Sequence, residues 1–151
     1  MRLPHVIPFK KAPLYFFTTC TADRRPLLGT KDALDILSDI WQRSSELDQW
    51  YVGRFVLMPD HVHFFASPSQ EAKTREVWTK MWKSVSARLL LEELNLNPPF
   101  WQNDTFDHIL RGRESYREKW DYVMQNPVRA GLCLRPEDWP WQGEIEVLTY
   151  D

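Results

Sequence analysis

The chain has 151 residues, of which 43% are hydrophobic and 14% aromatic, enough to bury one core but not two. A net charge of −2 argues against a generic nucleic-acid binder, yet residues 137–151 carry five acids and no Lys or Arg, and without them the charge is +3. The two cysteines match no metal-binding spacing, and no apolar run is long enough to span a membrane. We therefore expect a single cytoplasmic domain over residues 1–151, with reduced thiols, no membrane contact and an acidic tail packed on it.

The first half of the chain predicts a strand, a helix and a hairpin. Residues 14–21 are rich in aromatic and β-branched side chains, which is typical of a strand. Thr30 is suited to cap a helix, because apolar residues recur at helical spacing over residues 34–47. Residues 51–58 and 61–66 predict two strands, and the two-residue turn between them makes these strands antiparallel neighbours.

The second half predicts two helices around a short strand. A helix covers about residues 73–94, a strand follows at 106–110, and a third helix begins near Glu114. This helix should end before Pro127, because the residue that precedes a proline is pushed out of helical geometry. The order β-α-β-β-α-β-α predicts an α+β, ferredoxin-like (split βαβ) fold, with helices on one face of an antiparallel sheet and a further C-terminal helix. The other face of the sheet is then available for a site.

A pair of histidines opens the third predicted strand. Side chains alternate along a strand, so His61 and His63 project from the same face and Val62 from the other. Two neighbouring imidazoles suit a divalent metal ion. They can also be structural histidines that bond nearby carbonyl groups, and the motif alone leaves both interpretations open.

The third predicted helix carries a tyrosine away from its apolar side. The apolar stripe of this helix consists of Tyr116, Trp120, Val123 and Met124. At about 100° per residue, Tyr122 lies roughly 140° from the centre of that stripe. Asn126 follows four positions later and projects from the same face. This pair indicates a functional tyrosine with an amide one turn away, and the alternative is an ordinary surface tyrosine.

Four stretches of the chain together resemble a known family. They are residues 56–63 (VLMPDHVH), 100–102 (FWQ), 106–108 (FDH) and 115–132 (SYREKWDYVMQNPVRAGL). In this order and spacing they are similar to the single-tyrosine HUH transposases of the IS200-like group, in particular the REP-associated tyrosine transposases of bacteria. The Trp139-Pro140 pair falls where the family often has a Trp-Pro pair. The resemblance covers nearly the whole chain.

The resemblance implies a role for each residue of the two motifs. His61 and His63 would ligate Mg²⁺ or Mn²⁺, with Asn126 as the third protein ligand, and Tyr122 would be the nucleophile. Its attack would yield a 5′-phosphotyrosine and free a 3′-hydroxyl, so that a second 3′-hydroxyl can reverse the step without ATP. Tyr116 is the competing nucleophile, but it lies on the apolar stripe and has no ligand-type residue four positions on.

The implied partner is single-stranded DNA beside a hairpin of the REP type. The residues predicted to contact DNA are Lys10, Lys11, Arg24, Arg25, Lys80, Lys83, Arg88, His108 and Arg129. His108 has a structural role as its alternative. Two other functions remain open: a metal phosphodiesterase in which water attacks, and a non-catalytic module that binds single-stranded nucleic acid on a ferredoxin-like sheet. The sequence does not decide between a monomer and a homodimer.

Overall fold

The computed structural model of the protein describes residues 3–9 and 12–150, so that the predicted DNA contacts Lys10 and Lys11 lie outside the described residues. Its elements in chain order are β1 (Val6–Pro8), β2 (Leu14–Thr21), α1 (Lys31–Leu47), β3 (Trp50–Met58), β4 (His61–Pro68), α2 (Arg75–Leu94), β5 (Trp101–Leu110), α3 (Arg113–Met124), α4 (Asn126–Arg129), β6 (Gln142–Glu144) and β7 (Val147–Thr149).

The centre of the fold is a five-stranded sheet in the order β5-β2-β4-β3-β6. Every pair of neighbouring strands in it is antiparallel. α1 connects β2 to β3, and α2 connects β4 to β5, so two βαβ units interleave. This arrangement confirms the predicted α+β, ferredoxin-like fold, and it places the histidine strand β4 in the middle of the sheet.

Side-chain caps fix where the two long helices begin. Thr30 accepts a hydrogen bond from the Ala33 amide at the start of α1, as its sequence context predicts. Thr74 caps α2 in the same way, so that this helix begins at Arg75, two residues later than predicted. α2 ends at Leu94, and its C-cap residue Asn95 adopts a left-handed conformation with φ 54°. Among the described residues, no helix is both long and apolar enough to cross a bilayer.

Several elements differ from the predicted ones. β5 begins at Trp101 rather than at residue 106, because the buried Trp101 ring anchors it and Trp101 Nε1 donates to Ser86 Oγ at 2.9 Å. α3 ends at Met124, before Pro127, but the chain continues as the short helix α4. Pro127 lies in the first turn of α4, where a proline removes no needed hydrogen-bond donor. β1, β6 and β7 were not predicted.

The two faces of the sheet bury separate apolar clusters. On one face, Phe17 and Phe64 pack with Trp41 of α1 and with Trp78 and Trp82 of α2. On the other face, Phe16 and Phe65 belong to a second cluster, to which α3 contributes Trp120 and Val123. Because side chains alternate along β4, His61 and His63 project towards this second face. The histidines and the C-terminal helices therefore share one side of the sheet.

The segment after residue 136 packs against the same side. Trp139 Nε1 donates to the carbonyl of Leu57 at 3.0 Å, and the Leu57 amide donates to the carbonyl of Trp141 at 2.8 Å. β6 then pairs with β3, and β7 pairs in parallel with β1. The His5 amide donates to the fully buried Glu146 carboxylate at 2.9 Å, which joins the two ends of the described chain.

Candidate active site

The paired histidines form the centre of the site. His61 is the first residue of β4 and follows directly on the turn that joins β3 to β4. The centroids of the His61 and His63 rings are 4.8 Å apart, with an angle of 79° between the ring planes. Both side chains are partly buried. The middle strand of the sheet thus holds two imidazoles close enough to bind one ion together.

His61 is oriented by a carboxylate. Its Nδ1 lies 2.8 Å from Asp60 Oδ1, and Asp60 Oδ2 accepts a hydrogen bond from Arg24 Nε at 2.9 Å. Burial opposes ionisation of Asp60, but the hydrogen bonds from Arg24 and His61 prevail and hold its pKa below the usual value. The ionised carboxylate can only accept hydrogen bonds, so Nδ1 of His61 carries a hydrogen, and in the neutral imidazole Nε2 is then the nitrogen with the lone pair.

His63 is held by a hydroxyl group and an aromatic ring. Its Nδ1 lies 2.8 Å from Thr18 Oγ1, on the neighbouring strand β2. Its ring stacks on Phe16 with a centroid distance of 5.2 Å and an interplanar angle of 20°. Nδ1 is engaged within the protein in both histidines, which leaves Nε2 as the nitrogen that can bind a metal.

Lys119 of α3 and Arg129 of α4 place positive charge near His63. Burial, together with the nearby charges of His61, Lys119 and Arg129, lowers the pKa of His63 to about 3. Lys119 Nζ lies 5.2 Å from the centroid of Phe16, the ring on which His63 stacks. His63 is therefore neutral at physiological pH, the state in which an imidazole ligates a metal.

Tyr122 is exposed beside these cations. Its side chain is 62% exposed, and it lines a shallow cleft together with Lys119. The Arg129 guanidinium carbon lies 4.0 Å from the centroid of the Tyr122 ring, and Arg129 Nη2 donates to the Tyr122 carbonyl at 2.7 Å. Arg129 also donates to Asn126 Oδ1. The amide oxygen keeps a second lone pair, so this contact does not by itself prevent Asn126 from acting as a ligand.

The competing tyrosine has a different environment. The Tyr116 ring packs edge-on against Phe65 and Phe9, with centroid distances of 4.8 and 5.5 Å. Burial raises the pKa of Tyr116 to about 12. Its phenolate is therefore harder to form than that of an ordinary tyrosine, and packing accounts for its place on the apolar stripe.

The side chains fit a weakly held divalent ion. Among residues 3–9 and 12–150, no group of three His, Cys, Asp or Glu side chains is arranged to hold a metal. The candidate donors are the two imidazoles and the amide oxygen of Asn126. Three neutral ligands leave coordination positions open for phosphate oxygens and water, as a catalytic metal requires.

Besides Arg129, three of the predicted DNA contacts have partners within the protein. Arg24 pairs with Asp60, as described above, and Arg25 Nη2 donates to the Pro99 carbonyl at 2.5 Å. Lys83 Nζ donates to three oxygens of β5 at distances of 2.8 to 3.2 Å. These three cations hold loops and the edge strand, whatever further contact they make with DNA.

The other predicted contacts lie on two different sides of the sheet. Lys80 and Arg88 are exposed on α2, on the face opposite to the histidines. His108 is exposed on β5 and shares the face of the histidines, with its ring centroid 5.5 Å from that of Phe16. The structure therefore brings His108 and Arg129 towards the site, but not Lys80 and Arg88.

Sequence reasoning missed four residues that surround the site. Asp60 stood out only as a turn residue, although a carboxylate directly before the histidine pair is a usable signal. Thr18 gave no signal, and Lys119 stood out only as one of a cluster of basic residues, because strand pairing and helix docking bring both to His63 from distant parts of the chain. Phe106 is 68% exposed on β5, directly opposite Thr18. It lies on the histidine face, where an exposed aromatic ring can stack a base.

Comparison with known proteins identifies the family. The family model described as "Transposase IS200 like" matches residues 11–124. A protein of Haemophilus influenzae, provisionally described as a REP-associated tyrosine transposase, is 25% identical over 142 residues, covering 88% of this chain and 80% of that protein. A REP-associated tyrosine transposase of Escherichia coli K12 is 26% identical over 136 residues, covering 87% of this chain and 76% of that protein.

Two solved structures share the fold. A REP-associated tyrosine transposase bound to a REP hairpin matches with a TM-score of 0.70 and 20% identity, covering 94% of this chain and 80% of that one. A protein of Deinococcus radiodurans, provisionally described as a transposase, matches with a TM-score of 0.57 and 18% identity, covering 76% of this chain and 90% of that one. Because the family model covers most of its length, the chain belongs to the IS200-like transposases, a family of enzymes that cleave and rejoin DNA.

Proposed function

We propose that this protein is a REP-associated tyrosine transposase that cleaves and rejoins single-stranded DNA beside a REP-like hairpin. The observation that carries the proposal is that an exposed tyrosine, Tyr122, lies beside Arg129 and Lys119, the two cations whose charges also act on His63 of the histidine pair. Two relatives bear this name, and a structure of similar fold is bound to a REP hairpin, which supports the choice of substrate.

In this proposal His61 and His63 hold Mg²⁺ or Mn²⁺ through Nε2, and Asn126 supplies the third protein ligand. The ion would act as a Lewis acid that polarises the scissile phosphate. Hard ions prefer oxygen ligands, so we expect modest affinity and better binding of Mn²⁺ than of Mg²⁺. The roles of Asp60 and Thr18 are to keep the two imidazoles in place.

Tyr122 is the proposed nucleophile. Its phenolic group gives up its proton to solvent as the oxygen attacks the phosphorus, the bond from phosphorus to the 3′ oxygen breaks, and the leaving oxygen takes up a proton from solvent to become a 3′-hydroxyl. Arg129 lies over the Tyr122 ring, so its positive charge stabilises the phenolate as it develops. The phosphotyrosyl bond keeps the energy of the phosphodiester, and a second 3′-hydroxyl can therefore displace Tyr122 and restore a DNA strand.

The edge strand β5 supplies a surface for the single-stranded flank. Phe106 and His108 both project to the histidine face, and both are exposed. A base that stacks on Phe106 would place its backbone near Thr18 and His63. Stacking does not read the base sequence, which leaves specificity to the hairpin and to other contacts.

The decisive experiment is covalent capture of DNA. Hairpin DNA with single-stranded flanks is labelled at its 3′ end, so that the fragment joined to tyrosine through its 5′ phosphate keeps the label. It is incubated with protein and Mn²⁺ and then separated on a denaturing gel. We expect label to migrate with the wild-type protein and with Tyr116→Phe, and not with Tyr122→Phe or with His61→Ala.

The other outcomes point to the two competing functions. If Tyr122→Phe releases free cleaved DNA at the wild-type rate, water is the nucleophile and the protein is a phosphodiesterase. If wild-type protein binds the DNA without cleaving it, and His61→Ala together with His63→Ala changes nothing, the protein is a binding module. Tyr122→Phe should fold normally, because the ring is 62% exposed, and thermal unfolding checks this.

A further inference from the structure

A chain of three charged or polar side chains ends at the histidine pair. Arg24 Nε donates to Asp60 Oδ2 at 2.9 Å, and His61 Nδ1 lies 2.8 Å from Asp60 Oδ1. Exposure of the side chains falls along the chain, from 55% for Arg24 to 28% for Asp60 and 18% for His61. The Asp60 carboxylate thus contacts Arg24 through Oδ2 and His61 through Oδ1.

The backbone around Asp60 is fixed as firmly as its carboxylate. The Thr21 amide donates to the Asp60 carbonyl at 2.9 Å, and the Thr21 hydroxyl, which donates to the Arg25 carbonyl at 2.7 Å, also lies 3.2 Å from the Asp60 carbonyl oxygen. The turn before β4 is therefore tied to the end of β2. A carboxylate on this turn has little freedom to leave His61.

Arg24 reaches Asp60 from an unusual stretch of backbone. Asp23 and Arg24 both have positive φ, 55° and 54°, in the short helical turn that follows β2. For residues other than glycine this left-handed conformation costs on the order of 1 kcal/mol each. The hydrogen bond to Asp60 is a specific contact that this conformation makes possible, since it turns the guanidinium back towards the β3–β4 turn.

The hydrogen-bond partners of the two histidines differ in which tautomer of the imidazole they permit. Thr18 Oγ1 can donate or accept, so its hydrogen bond is compatible with either tautomer of His63. The Asp60 carboxylate can only accept, so its hydrogen bond selects the tautomer of His61 with hydrogen on Nδ1. The protein therefore selects the tautomer of His61, whereas the hydrogen bond with Thr18 does not select that of His63.

We propose that Asp60 is the positioning residue of the site and that Arg24 supports it, so that His61 is held in the tautomer that presents Nε2 to a metal. This assigns Arg24, predicted from the sequence as a DNA contact, a role within the protein. The inference rests on the proposed metal site, because presentation of Nε2 matters only if a metal binds there. It is nevertheless testable in the absence of metal.

The first test is the tautomer of His61 in the metal-free protein. Protein labelled with ¹⁵N-histidine is studied by NMR near pH 7.5, and His61→Gln assigns the signals of His61. We expect the wild-type ring to carry its hydrogen on Nδ1, and Asp60→Ala to lose this preference. The control is Asp35→Ala, which removes a carboxylate of another ion pair, with Lys31 in α1, and should leave the spectrum of His61 unchanged.

The second test is Mn²⁺ affinity, measured from the EPR signal of the free ion. Loss of an outer partner of a metal-bound histidine typically weakens metal binding 10- to 100-fold. We expect a loss of about this size for Asp60→Ala, a smaller loss for Arg24→Gln, and none for Asp35→Ala. Thermal unfolding of each variant shows whether it is folded under the conditions of the titration.

The two tests separate the inference from the proposed function. If His61 has the same tautomer in Asp60→Ala as in the wild type, or carries its hydrogen on Nε2 in the wild type, the positioning role is refuted, whatever the metal affinity. If Asp60→Ala changes the tautomer but the wild-type protein binds no Mn²⁺ even with DNA, Asp60 does orient His61, and it is the proposed metal site that is wrong.

Discussion

Lys83 tests whether a basic residue of α2 binds DNA or stabilises the fold. Its position on α2 suggested a DNA contact, but its ammonium group donates to the carbonyls of Gln102 and Asn103 and to Thr105 Oγ1, at 2.8, 3.2 and 3.0 Å. Burial lowers the pKa of Lys83, as expected for a cation partly removed from water. We therefore expect Lys83→Met to destabilise the protein and to leave DNA binding nearly unchanged.

The size of the effect follows from these contacts. Hydrogen bonds to a charged group contribute about 1.5–3 kcal/mol each, but the cost of burying part of the ammonium group offsets much of their sum. Because the site is half-exposed, water can also take the place of the ammonium group as a donor in the variant. A net loss of about 2 kcal/mol in the free energy of unfolding is the result. For a domain of this size that lowers Tm by roughly 4–8 °C.

The assay compares Lys83→Met with Lys80→Met, which removes an exposed cation one turn earlier on the same helix. Urea unfolding followed by tryptophan fluorescence gives the stability of each variant, and hairpin binding at several salt concentrations gives the number of phosphate contacts. Lys80→Met should be as stable as the wild type. The reasoning fails if Lys83→Met keeps wild-type stability while its log–log salt slope falls by about one phosphate contact.

Three further predictions concern single side chains. Burial holds the pKa of Tyr116 at about 12 instead of 10, so the stabilisation that its bound proton gives is present below pH 10 and is lost as the pH rises towards 12. Urea unfolding at pH 9 and 11.5 should therefore show a stability loss at the higher pH that is about 2 kcal/mol smaller in Tyr116→Phe than in the wild type, and an equal loss in both proteins would contradict this prediction. Phe106→Ala should weaken binding of flanked hairpin DNA about tenfold, as measured by fluorescence anisotropy. The control is Ile109→Ala, on the opposite face of β5, which should leave this binding unchanged, and equal losses in the two variants would exclude stacking on Phe106. Gly53→Ala would bring its Cβ within 2.7 Å of Leu148 Cδ1, and we expect a loss of about 1–3 kcal/mol in the free energy of unfolding, unless Leu148 moves aside and the urea midpoint stays unchanged.

The central fold could be predicted because its elements have strong local patterns. Apolar residues mark the strands β2, β3 and β4 and recur at helical spacing in α1 and α2. The tight turn before His61 sets the pairing of β3 with β4. The first half of β5 has no such pattern, since residues 102–105 are polar. It is held in place by Lys83 of α2, which donates to the Gln102 carbonyl, and by the buried ring of its own first residue, Trp101, which donates to Ser86 of α2. β1 and β7 have three residues each and depend on pairing between opposite ends of the chain, which no local pattern indicates.

The candidate site was predictable where its residues are neighbours in the chain. His61 with His63, and Tyr122 with Asn126, follow from the periods of a strand and a helix. The partners of these residues come from elsewhere: Thr18 from β2, and Arg24 from a loop 36 residues before Asp60. Side-chain hydrogen bonds over such separations depend on the assembled sheet, and sequence patterns do not encode them individually.

The pairing of β1 with β7 has a consequence for how the protein opens. The Val147 amide donates to the carbonyl of His5 at 2.7 Å, and the Phe9 amide donates to the carbonyl of Thr149 at 2.6 Å. Neither short strand can detach without freeing the other, so these amide hydrogens should exchange with deuterated solvent at one common rate, as a single cooperative unit. An affinity tag that pulls the first strand away would also remove the hydrogen-bonding partner of the last one, which argues for a flexible spacer at either end.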